Sequence, residues 1–145
     1  MSTGFAMRWP VLQRHAVADA DLDEVGSVRQ EVLDERWVAE ACAEYVGRCA
    51  ALPPAAVRQQ AAPLPAGRVT GRPATVVVTA RATEVRPSSF TLTVRLRATG
   101  GAADRVAGTT CEVRLEDPAT GDAVDLGEAV LDELVAMDRS ARHIG

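Results

Sequence analysis

Lysine is absent from this chain of 145 residues; all sixteen basic side chains are arginine. Alongside abundant Ala, Gly, Val and Asp, that bias fits a high-GC bacterial genome and says nothing about function. A basic excess is missing too. Twenty acidic residues leave a formal net charge of −4, so composition gives no case for nucleic-acid binding, which leans on neutralising phosphates. Aromatics make up 3%, too few for a base-stacking platform. No apolar run reaches the roughly 18–20 residues of a membrane-spanning helix. The opening MSTGFAMRWP holds no apolar h-region and no small-residue cleavage site, which predicts a cytoplasmic protein.

Three cysteines cannot form a fully paired disulfide framework. Cys42 and Cys49 lie two helical turns apart, roughly 10 Å, beyond the reach of about 7 Å that a disulfide allows. There is no CxxC and no Cys/His cluster, so no metal site is expected. All three thiols read as buried and reduced.

What is present begins with one long stretch, residues 29–52, RQEVLDERWVAEACAEYVGRCAAL. Leu33, Trp37, Val38, Ala41, Cys42, Tyr45, Val46 and Cys49 recur at three and four residues, the spacing of a helix face. The face covers about half the wheel, wider than the usual stripe of about 100°. Such a helix needs a wrapping layer, and residues 74–116 supply one. Thr75–Val85 is rich in Val and Thr. Ser89–Thr99 alternates, with Phe90, Leu92, Val94, Leu96 and Ala98 opposed to Thr91, Thr93, Arg95 and Arg97. Val106–Glu116 alternates likewise. Together they predict an antiparallel meander with one wet face.

Length and pattern give one domain, 1–145. Residues 1–10 read as a loose arm and Val11–Val17 as a short strand containing a half-buried His15. DADLDEVG at 19–26 makes an acidic turn; its glycine and glutamate lack the spacing of a calcium loop. Residues 52–73 form a proline-rich crossover in which Ala55–Gln60 has room for one or two helical turns. Residues 127–145 give a last helix and tail, with Val130, Leu131, Leu134 and Val135 as the apolar stripe.

The order of strand, acidic turn, wrapped helix, crossover and three antiparallel strands is that of the hotdog fold, an α+β class. DLDEVGSV at 21–28 resembles the D-x-D-x-x-G-[HIV]-V segment of the 4-hydroxybenzoyl-CoA thioesterase-like (acyl-CoA thioesterase) family. RPSSFTLTVRL at 86–96 resembles that family's hairpin, and VRLEDPATGDAVDL at 113–126 its closing strand and turn. The chain departs from the family at Ser27, Arg29 and Gln30, where relatives commonly read His-Val-Asn-Asn after the glycine, and at Leu33, where they carry Tyr.

The resemblance implies hydrolysis of a thioester carried by coenzyme A or by an acyl carrier protein. No cofactor is implied, the coenzyme being part of the substrate. Asp23, the second aspartate of D-x-D, takes the place of the general base or nucleophile. The backbone N–H of Gln30 or Glu31 would face the carbonyl, and Ser27 and Arg29 would line the entrance. Arg86, Ser88 and Ser89 would lie near the pantetheine or phosphates. Physical chemistry is compatible, since a helix start offers free amides and about half a positive charge to an oxyanion. Asp34 is either a first-turn surface residue or a second site acid; burial beside the sheet would raise its pKa. Asp23 reads equally as a turn-forming aspartate, and Arg86, Ser88 and Ser89 as a solvated turn.

A homodimer or homotetramer is expected, because the exposed last strand of a meander invites pairing with a copy of itself. A hotdog that binds acyl thioesters, or serves in assembly, without turnover is the alternative. A dehydratase is disfavoured, since His15 and His143 are the only histidines and neither lies near the helix start.

Overall fold

The structure is a computed structural model that describes residues 11–63, 69–100 and 105–143. The arm at 1–10 lies outside them. Five strands form one sheet: β1 (Val11–Ala16), β2 (Val57–Ala61), β3 (Thr75–Val85), β4 (Ser89–Thr99) and β5 (Arg105–Leu115). They are ordered β1-β3-β4-β5-β2, and every neighbouring pair is antiparallel. The meander is as expected: Thr75 faces Thr99 and Val85 faces Phe90, while Ser89 faces Arg114 and Ala98 faces Arg105. Alternation puts Phe90, Leu92, Val94 and Leu96 wholly inside and leaves Arg95 and Arg97 outside.

The long helix lies in the curl of this sheet. Leu33, Trp37, Val38, Ala41, Cys42 and Tyr45 are at most 1% exposed. At about 1.5–3 kcal/mol for each large apolar side chain buried, this contact dominates the stabilising side of folding. Its first half is not an α-helix. Val32–Val38 is π-helical and runs into α1, Ala39–Gly47. The sequence supplies a reason. The buried pairs Val32-Leu33 and Trp37-Val38 repeat at five residues, the hydrogen-bond spacing of a π turn; Trp37, Ala41 and Tyr45 then repeat at four. The helix ends at Gly47 rather than at Leu52, and Cys49 and Leu52 are buried from the turns that follow.

Two other expectations need correction. Pro54–Ala56 makes a single 3-10 turn, and the chain continues as strand β2 instead of helix. Its sequence, VRQQA, is a weak strand former; the free edge of β5 decides the matter. Consequently β5 is not the sheet's edge. The unpaired edges belong to β1 and β2.

The last helix, α2 (Gly127–His143), buries Val130 and Leu134 but leaves Leu131 38% and Val135 49% exposed. Its stripe is therefore narrower than the sequence suggests. Glu133 anchors it, accepting from the amides of Ala50 at 2.8 Å and Ala51 at 2.6 Å. Cys49 Sγ meets Met137 Sδ at 3.6 Å. All three cysteines are free and buried. The Cys42 thiol is raised above its ordinary range, first by its hydrogen bond with Cys111 and then by burial. Burial, with the charge of Glu133 behind it, pushes Cys49 up to about 11. The arrangement is the hotdog fold. No helix among the described residues is long and apolar enough to cross a membrane.

Candidate functional site at the start of the central helix

β1 leaves the sheet at Ala16 and enters the acidic turn, whose two aspartates have different fates. Asp21 closes a 3-10 turn at Asp19–Asp21, and its carboxylate is buried. Asp23 opens a tight loop. Its amide donates to the Ser27 carbonyl at 2.8 Å, and its Oδ1 accepts from the amides of Val25 at 2.9 Å and Ser27 at 3.0 Å. Leu22 and Val28 bridge at the loop's base. Gly26 sits at φ +85°, and a Cβ there would meet Arg72 Cγ at 2.6 Å, so only glycine fits. The loop is pinned from outside by Val28 N–H to Val69 O at 2.8 Å and Arg72 N–H to Gly26 O at 2.9 Å.

Asp23 is exposed. It lines an open hollow of about 320 Å³ together with Glu24, Val25 and Arg29. Ser27 is buried at 7% exposure, while Arg29 is exposed. The Arg29 carbonyl accepts from Val32 at 3.0 Å and Leu33 at 3.1 Å, so the helix opens there. The amides of Gln30 and Glu31 then belong to a first turn that has no intrahelical acceptors to offer them. Asp34 is half-buried, not enclosed beside the sheet, and its Oδ2 accepts from Gln30 Nε2 at 2.7 Å. Asp23, Ser27, Arg29, Gln30 and Asp34 thus cluster around one helix start. Among the described residues, no group of three or more His, Cys, Asp or Glu side chains is placed to hold a metal ion.

The hairpin residues are elsewhere. Arg86, Ser88 and Ser89 sit at the turn joining β3 to β4, whereas the acidic loop joins the sheet beside Ala74, through Val17 N–H to Ala74 O at 2.9 Å. About ten strand residues separate the two ends, roughly 33 Å at about 3.3 Å per residue. Within one chain these residues are not part of the site. Arg86 is also engaged: Nε donates to Ser89 Oγ at 2.9 Å and Nη2 to Thr91 Oγ1 at 2.7 Å, and Nη1 pairs with Glu84. It ends an ion-pair ladder across the outer face, Arg58–Glu116–Arg114–Glu112–Arg86, with contacts of 3.5 to 3.8 Å. Exposed pairs of this kind contribute little individually.

Sequence reading passed over Asp21 and its partner Arg36, whose Nη1 donates to Asp21 Oδ1 at 3.1 Å. The only signal for Asp21 was its place as the other half of D-x-D. Arg36 had none, standing fifteen residues away in an ordinary charged stretch.

No family model matches the chain, and no curated protein does. Solved structures do. A thioesterase-superfamily protein from Jannaschia sp. CCS1 superposes with a TM-score of 0.66 at 19% identity, over 87% of this chain and 81% of that one. A thioesterase from Thermus thermophilus, complexed with coenzyme A and Zn, gives 0.64 at 23% identity, over 90% and 96%. The 4-hydroxybenzoyl-CoA thioesterase from Pseudomonas sp. strain CBS-3 gives 0.62 at 17% identity, over 87% and 99%. Likenesses at these identities establish the hotdog fold for this chain.

Proposed function

We propose that the chain hydrolyses a thioester, an acyl group carried on coenzyme A or on an acyl carrier protein. Asp23 serves as general base, or alternatively as nucleophile. One observation carries the reading: an exposed carboxylate opens onto a hollow shared with Arg29, the residue at which the buried helix begins. In the base form, Asp23 draws a proton from water as the water oxygen bonds to the thioester carbon. The carbonyl oxygen becomes an oxyanion held by the first-turn amides at Gln30 and Glu31. When the carbon–sulfur bond breaks, the proton passes to the departing thiolate. Arg29 flanks the approach, Ser27 lies buried behind the loop, and the Gln30–Asp34 hydrogen bond steadies the turn that carries the amide. Arg86, Ser88 and Ser89 reach the coenzyme's pantetheine or phosphates only from a second copy, because one chain holds them a strand length away.

The test is coenzyme A release across an acyl-CoA panel, with Asp23→Asn as control. Loss of a positioned general base costs roughly 10²–10⁴-fold. A second reading, binding without turnover, draws on the bonds that tie Asp23 Oδ1 to Val25 and Ser27 as in a plain turn. It predicts acyl-CoA binding that Asp23→Asn leaves unchanged. Folded protein inactive on the whole panel would remove the hydrolase reading.

A further inference from the structure

Asp21 is the one aspartate or glutamate buried among the described residues, at 8% exposure. Three separate segments converge on it. Oδ2 accepts from the amide of Ala18 at 3.0 Å, just beyond the end of β1. Oδ1 accepts from Arg36 Nη1 at 3.1 Å, in the π-helical segment. Its backbone carbonyl accepts from the amide of Arg29 at 2.8 Å, at the start of the helix. A buried carboxylate is costly unless it is paired and hydrogen-bonded; here both oxygens are met. The Arg36 side chain is 56% exposed against 11% for the Asp21 side chain, so the pair holds by closing over the carboxylate from the solvent side.

Asp23 lies two residues beyond this junction, and its own loop is closed by the Asp23–Ser27 and Leu22–Val28 pairings. The loop is a small closed body that runs into the helix at Val28–Arg29, and its side-chain tie to the body of the helix is Asp21 on Arg36. We propose that the Asp21–Arg36 pair is a positioning latch: it fixes the acidic loop against the helix and so sets the separation between the Asp23 carboxylate and the first-turn amides. This rests on the hydrolase reading above for its catalytic consequence. Misplacement of a reacting group by about 1 Å costs about 10²-fold in rate, so a loosened latch acts on the chemical step while substrate affinity is largely kept. Asp21 and Arg36 act through Asp23 and touch no substrate.

The test uses Arg36→Ala, Arg36→Lys, Asp21→Asn and the Asp21→Asn/Arg36→Ala double variant in the full chain. Two readouts are taken: kcat and KM on octanoyl-CoA and benzoyl-CoA, and amide hydrogen exchange along 21–31. Arg36→Ala should lower kcat about 10- to 100-fold, with KM within about twofold. Exchange along 23–29 should quicken while β3 and β4 stay protected. Arg36→Lys should recover part of the rate. The double variant should be no slower than the worse single, since either change opens the same contact.

Unchanged kcat and unchanged exchange in Arg36→Ala would overturn the latch. So would additive losses in the double variant with no rescue by lysine. Should Arg36→Ala fail to fold, Asp21→Asn, which removes the charge and leaves one acceptor oxygen in place of two, carries the same comparison. Should the wild-type chain hydrolyse no member of the acyl-CoA panel, the hydrolase reading fails separately and exchange alone decides: quickened 23–29 amides uphold the tie between loop and helix, and unchanged ones refute it.

Discussion

The imidazole of His15 lies flat on the indole of Trp37, with ring centroids 4.8 Å apart and planes 13° from parallel. Its Nε2 meets Gln13 Oε1 at 2.8 Å. Strand β1 is thereby joined to the π-helical segment one turn from the acidic loop. The Trp37 ring is buried, and its Nε1 finds no acceptor among the described residues, so this contact is one of shape and stacking. Burial lowers the His15 pKa below 6.5, assisted by Arg36 and opposed by Glu40 and Asp21.

A pH dependence of stability follows. Because the folded state disfavours the imidazolium, the unfolded chain takes up the proton first as pH falls. The stabilising contribution is complete above about 6.5, the unfolded value, and is lost as pH drops through the lower folded value. Denaturation midpoints measured in steps from pH 7.5 to 5 should fall. His15→Phe, which keeps a ring on Trp37 and cannot titrate, should show a shallower fall. Equal slopes in the two proteins would disprove the link.

Leu33 is fully buried where helix and sheet meet, whereas Leu131 on α2 is 38% exposed. Leu33→Ala removes packing and leaves a cavity, at about 2–5 kcal/mol. Leu131→Ala should stay within about 0.5 kcal/mol. Urea titrations of both variants check the ranking, and comparable losses would show that the interior is not where the structure puts it.

Glu133 predicts how α2 is held. Its carboxylate accepts from two amides of the turn that follows α1, those of Ala50 and Ala51. Glu133→Ala should cost about 1–3 kcal/mol for the groups left unpaired and hasten proteolysis within 127–137. Glu133→Gln, which keeps one acceptor oxygen, should fall between. A Glu133→Ala chain as protease-resistant as wild type would mean that α2 is held by Val130 and Leu134 alone.

Much of this architecture was legible because it is written in short-range pattern. The meander follows from alternation at 89–99 and 106–116, and the helix from the recurrence through Leu33, Trp37, Ala41 and Tyr45. The failures are long-range. VRQQA at 57–61 has no strand pattern of its own, and pairing to β5 made it one. A wheel of fixed 100° cannot show a π turn, so it could not decide between the two settings open to Asp34, which is half-buried. The site divides the same way. A turn beside a helix start was visible in DLDEVGSV. That Arg86 stands a strand length from Asp23 depends on which end of the meander meets the loop, and no local motif carries that.

The free edge at β2 has a definite facing. Glu116 N–H donates to Ala56 O, and Ala62 N–H to Thr110 O, each at 2.8 Å. Antiparallel ladders alternate, so Val57, Gln59 and Ala61 aim their backbone groups away from β5. The Arg58 guanidinium caps one end of that outward row, donating to Val57 O at 2.9 Å; an open strand edge invites pairing with another strand. Beside it lies a hollow of about 380 Å³, between Ala43, Val46, Gly47 and Ala50 of the helix region and Val57 and Gln59 of the strand. A second copy related by a two-fold axis would close the edge with its own β2 and lay its helix along that row of small residues. Gln59→Pro removes a donor that β5 does not use, so the fold should survive while the pairing does not. Sedimentation velocity should give at least two chains for the wild type and one for Gln59→Pro, with unchanged far-ultraviolet dichroism. A wild-type chain that sediments singly at tens of micromolar would eliminate this edge as an interface. It would also eliminate a second copy as the source of Arg86, Ser88 and Ser89 at the Asp23 site.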